Sequence, residues 1–181
     1  MAAIAMATAV GGTTIAAAPA FAGGNGSTSQ TEHAHGTQAD GLVVLDFLPA
    51  DSPPLPDGCW ANPDIAIVST DGNAVEHFTV NKAGDFWFTS TYAGDAAVYP
   101  VAEVDSHGNV IPDTSGDPLY VGHLTTWFGE NDNNKNGNFT ATASFHGTST
   151  SDGQAVNLNG SMHMAFNANG DPVVTDARAT C

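Results

Sequence analysis

The residues best placed to do chemistry are a short Asp/Asn run and seven histidines. Asp132-Asn133-Asn134-Lys135-Asn136-Gly137 carries the D-x-[DN]-x-[DN]-G half of a calcium loop, in which alternate oxygens, here from Asp132, Asn134 and Asn136, turn toward one ion and the glycine allows the sharp bend. Ala143 stands where an EF-hand places its bidentate glutamate, so an EF-hand is excluded. What is left is a weak, single-carboxylate calcium site in a hairpin, or a plain Asn/Gly turn. Among the histidines, His33, His35 and His107 fall in stretches that read as leader or turn. His77, His123, His146 and His163 sit on separate strand-like segments, with no H-x-H or H-x-x-x-H pair to hold a metal.

A different grouping follows strand parity. His77, Asp85, Trp87, Thr89, His123, Thr125 and Trp127 fall on matching faces of their segments, mixing aromatic bulk with polar groups as a small-ligand pocket does. The competing assignment makes Phe86, Phe88, Leu124 and Phe128 the core and leaves the first face wet. G-x-S-x-G, H-E-x-x-H and phosphate-cradling glycine loops are absent from the sequence. The leading functional expectation is therefore a non-enzymatic binder of a small apolar or amphipathic ligand. A barrel isomerase or cyclase using His77, His123 or Asp85 as acid or base is the second reading, and a structural cell-envelope surface protein the third.

These side chains must be carried by strands. From Asp64 onward, short runs of β-formers alternate with Gly, Asn and Asp clusters, and no helical apolar stripe interrupts them. The segments expected are 65–70, 74–80, 85–92, 96–104, 119–128, 138–145, 155–166 and 173–180, with a further run near Leu42. Val156, Leu158, Met162, Met164 and Phe166 share one face, and Phe139, Ala141, Ala143 and Phe145 repeat the pattern. Those two strands are predicted to pair as a hairpin across 147–153. Short connections favour sequential antiparallel pairing, so the fold expected is all-β: a single-domain antiparallel up-and-down β-barrel of about eight strands, with a β-sandwich as the alternative.

The stretches GDFWFTSTYAGD, YVGHLTTWFG and FHGTSTSDGQAVNLNGSMHMAFNANGDPVV resemble uncharacterised secreted proteins of actinobacteria, a likeness that implies a β-rich fold and carries no activity. At the level of architecture the chain is similar to the small barrels of lipocalins, allene oxide cyclases and dirigent proteins. It holds no signature motif of these, and no catalytic residue is transferred.

Three Lys and Arg against nineteen Asp and Glu leave a net charge of -16 over 181 residues, which disfavours nucleic acid and anionic membrane as partners. Residues 1–22 are uncharged and Ala-rich and end in Ala20-Phe21-Ala22, the small-x-small pattern of a signal peptide cut after Ala22, although no positive charge precedes it. Residues 23–39 are nearly free of apolar side chains and read as a flexible leader, leaving 40–181 as the β domain. An exported chain with two cysteines, Cys59 and Cys181, is expected to join them. A loop that long is stabilised by about 5 kcal/mol in the chain-entropy account.

Overall fold

A computed structural model describes residues 27–36, 44–47, 65–104, 110–133, 136–169 and 171–180. Residues 1–22, Cys59, Cys181 and Asn134 lie outside them, so the expected signal peptide, the expected disulfide and the middle residue of the calcium-like run fall outside the described residues. The described chain is all-β. In order, the strands are β1 (Thr28–Gly36), β2 (Val44–Phe47), β3 (Ile65–Val80), β4 (Phe86–Val104), β5 (Val110–Pro112), β6 (Tyr120–Asp132), β7 (Gly137–Ser149), β8 (Ala155–Phe166) and β9 (Pro172–Thr180).

Every pairing is antiparallel, and the spatial order is β1-β3-β4-β6-β7-β8-β9. β2 pairs with the first residues of β3 and β5 with the last residues of β4. Among the described residues no ladder joins β9 back to β1, so the sheet is not closed. This pairing pattern is common to a curled barrel-like sheet and to a folded-over sandwich. The stretch 23–39, expected as flexible leader, contains β1, whose backbone pairs with β3 from Thr28 opposite Val80 to Gly36 opposite Gly72. Backbone hydrogen bonding along the edge of β3 orders a segment that has little apolar surface of its own.

Period-two alternation sets the layers. Leu124, Ala141, Ala143, Phe145, Leu158 and Met162 are buried while their sequence neighbours are exposed or half-buried, so the sheet has a covered inner face and a wet outer one. The β7–β8 hairpin forms with Phe145 opposite Leu158. Its turn closes through Ser149 N–H to the Gln154 carbonyl at 2.9 Å, with Gly153 at a φ of 72°. Ile65 to Ser69 and Ala96 to Val98 are buried on both faces, so the core is densest at that end of β3 and β4.

Two expected breaks do not occur. Asp71-Gly72 and Gly94-Asp95, which read as loops, lie inside the continuous strands β3 and β4, with Gly72 directly opposite Gly94 and only a register shift between Ser69 and Asp71. At Gly72 the reason is Tyr92, whose ring and hydroxyl a Cβ would strike; at Gly94 a Cβ would strike the Asp71 carbonyl and the Gly72 Cα of the neighbouring strand as well as the Tyr92 hydroxyl. Gly72 makes room for a ring. The same device recurs where Trp127 lies over Gly129 and Phe145 over Gly147, in each case an aromatic side chain two residues before the glycine on the same face.

Candidate functional site

The hairpin turns β3–β4, β6–β7 and β8–β9 lie at one end of the sheet because successive strands run up and down. Two share one chemistry. In Asn81-Lys82-Ala83-Gly84-Asp85 the Asn81 carbonyl oxygen of the side chain accepts from the Ala83 and Asp85 amides at 2.8 and 3.0 Å, and its amide donates to the Asp85 carboxylate at 2.7 Å. Asn167 does the same across its turn, accepting from Asn169 and Asp171 at 2.9 and 3.1 Å and donating to the Asp171 carboxylate at 3.3 Å. Such side-chain turns favour Asn at the first position. The N-x-x-G-D pattern, present twice in the sequence, is the signal that marks both.

Between these turns the inner face opens. A cleft of about 430 Å³ is lined by Phe86, Phe139 and Phe166 together with the carboxylates Glu130 and Asp132 and the amides of Asn131, Asn133, Asn138 and Asn167, so polar groups make up much of its wall. The phenylalanines of this end are half-buried rather than sealed. Their ring contacts fall in two groups: Phe78 and Phe86 stand 6.0 Å apart, while Phe128 lies edge to face against Phe88 at 5.5 Å and against Phe139 at 4.8 Å. Glu130 sits opposite Phe88 on one side and Phe139 on the other. Partial burial pushes its carboxyl up from the usual glutamate range, and the Asp132 charge adds to the shift.

The residues grouped by parity go to the other face. Trp87 and Trp127 are 45% and 40% exposed, His77, His123 and Thr125 are exposed and Thr89 is half-buried. They line no lumen; the inner face belongs to Phe86, Phe88, Leu124 and Phe128, the assignment weighed against them. Parity alone could not choose, because alternation shows two faces without saying which is covered. His77 lies directly opposite Thr89, and its ring nitrogens bond Thr31 Oγ1 at 2.8 Å and Thr79 Oγ1 at 3.1 Å. His123 stands opposite Asp95, Nδ1 to Oδ1 3.6 Å, with both side chains exposed, an ion pair of little energetic weight. Asp85 is held in the β3–β4 turn by Asn81, apart from the two histidines.

Asp132 ends β6 and faces the cleft with Glu130. In the turn after it, the Asn133 side chain accepts from the Asn136 amide at 3.0 Å and the two backbones bond at 3.1 Å, so this hairpin closes through its own groups. Among the described residues no three His, Cys, Asp or Glu side chains gather to hold a metal. No family model, curated protein or solved structure matches the chain.

Proposed function

We propose that this is a secreted, non-enzymatic binding protein that takes one small amphipathic ligand in the cleft at the turn end of its sheet. Residues 1–22 act as the signal peptide and a Cys59–Cys181 bridge ties the domain in the oxidising exterior. The observation that carries the reading is a cleft of about 430 Å³ in which the rings of Phe86, Phe139 and Phe166 stand beside the half-buried Glu130 carboxylate among polar amides, a space the size of a small-molecule site. Apolar rings favour a hydrocarbon body. Glu130, partly stripped of water and with Asp132 beside it, favours a positively charged head, which restores its ionised form and stacks on ring faces as cations do. The surrounding field of a chain of charge -16 draws such a ligand in.

Calorimetric titration with alkyl- and arylammonium ions, set against the matching alcohols and carboxylates, tests this. The ammonium compounds are expected to bind most tightly and to be recovered unchanged. Glu130→Gln should erase the preference for the cation while the alcohols still bind, and Phe139→Ala should weaken the whole series. Equal binding of carboxylates and ammonium ions, or indifference to both substitutions, refutes the reading.

A further inference from the structure

The outer face carries a second arrangement, which shares only Asn131 and Asn138 with the lining of the cleft. Around its two indoles the side chains are hydroxyls, amides and imidazoles. The row across the sheet that holds Trp87 continues through Thr79, Asn131 and Asn138. The next row runs His77, Thr89, Gly129, Thr140 and His163, and the one after it Thr91, Trp127, Thr142 and Ser161. Directly paired residues share a face. In a chain with nineteen carboxylates, these three rows bear no formal charge from β1 to β8. The first carboxylate met is Asp176 on β9, which is paired with Arg178 at 2.9 Å.

The indoles are held close together. Trp127 leans along its strand so that its ring lies over Gly129, where a Cβ would collide with it. Gly129 is opposite Thr89, two residues from Trp87. Two strand residues and one inter-strand step separate the Trp127 ring from the Trp87 backbone, roughly 8 Å at ordinary sheet spacings. Such exposed aromatic surface on a soluble domain marks a contact site. An uncharged surface within a strongly acidic molecule gives polyanions nothing to pair with and offers polycations less than the rest of the molecule does. Its donors and acceptors instead match a neutral partner dense in hydroxyls, and flat indoles match the C–H faces of sugar rings.

From this charge pattern and the paired indoles we infer that the outer face is a docking surface for an uncharged polysaccharide chain, with Trp127 and Trp87 as its two stacking platforms and the Thr, Asn and His rows as its hydrogen-bonding margin. Gly129 is a positioning residue: its missing side chain lets the Trp127 ring lie down on the sheet. A polymer long enough to reach both rings binds more tightly than its monomer, because the second contact is intramolecular.

The test is retention of the folded chain on a panel of neutral polysaccharides, namely cellulose, chitin, xylan and starch, with polystyrene and sulfated dextran as controls. At least one neutral glycan is expected to retain the protein and the controls are not. Trp127→Ala and Trp87→Ala should each weaken that retention about tenfold, with melting temperature and ammonium-ligand binding in the cleft unchanged. Gly129→Ala keeps both indoles but lifts one, and should weaken retention as well. Failure of the whole panel to retain the protein, equal retention on polystyrene, or tryptophan variants that bind as the parent does would each overturn the inference. Because Glu130 lies on the opposite strand face from both indoles, loss of cation binding in Glu130→Gln leaves glycan retention intact, and the two readings fail separately.

Discussion

Removing one oxygen from Tyr92 tests how firmly its hydroxyl pins β3 and β4 where they run unbroken through their glycines. The Tyr92 side chain is buried, and its hydroxyl donates to the Asp95 carbonyl at 3.1 Å, with the Asp71 carbonyl at 3.4 Å and the hydroxyl of fully buried Ser69 as its other neighbour. A phenol has one proton to give, so with Asp95 as acceptor its oxygen receives the Ser69 proton. Burial holds the phenol above the usual tyrosine range, with the Ser69 contact acting the other way. Tyr92→Phe keeps the ring over Gly72 and removes only the hydroxyl and its bonds. Losing a net hydrogen bond costs about 1 kcal/mol, and stranding the Ser69 hydroxyl costs about 1–2 kcal/mol more. The total of about 2–3 kcal/mol lowers the melting temperature of a domain this size by roughly 5–10 °C. Urea melts of the parent, Tyr92→Phe, Ser69→Ala and the double variant measure it. The double variant should be more stable than the sum of the singles implies, by about 1 kcal/mol or more. Additivity within about 0.3 kcal/mol, or a Tyr92→Phe protein as stable as the parent, would show that the Ser69–Tyr92 contact does not pin the strands.

Two further outcomes follow from burial and charge. Phe145→Ala, which empties a site 1% exposed beside Leu124 and Leu158, should cost about 3–5 kcal/mol in the same urea melts, whereas truncating exposed Trp87 should cost far less. Glu76 is pushed above 4.5 first by burial and then by Glu32 directly opposite it, with Ser90 opposing the shift. The folded state therefore holds this proton more tightly than the unfolded chain, and stability is lost as pH rises from 4.5 through the raised value. Glu76→Gln should melt above the parent at pH 7, with the gap closing below about pH 4; a gap that persists in acid would refute the electrostatic cause.

Strand type was legible locally because it depends on a two-residue period that any segment carries within itself. Val156 to Phe166 and Phe139 to Phe145 announce their faces, and the hairpin between them is set by the few residues that join them. The Asn81 and Asn167 turns carry a local signal as well, the N-x-x-G-D pattern, since each is closed by a side chain bonding its own near neighbours. Other features depended on residues far apart in the chain. Asp71-Gly72 has the composition of a turn, and only the Tyr92 ring, brought across from β4, makes that glycine a strand residue. The outer placement of His77, Trp87, His123 and Trp127 was likewise decided by what covers the opposite face, which alternation does not encode. The cleft is the clearest case. Phe86, the Glu130–Phe139 pair and Phe166 come from three hairpins far apart in sequence, and no local spacing relates one hairpin to the next. They meet because an up-and-down order returns every second turn to the same end of the sheet, where the inner face, filled by Tyr92, Leu124, Phe145 and Leu158 further in, is no longer fully covered.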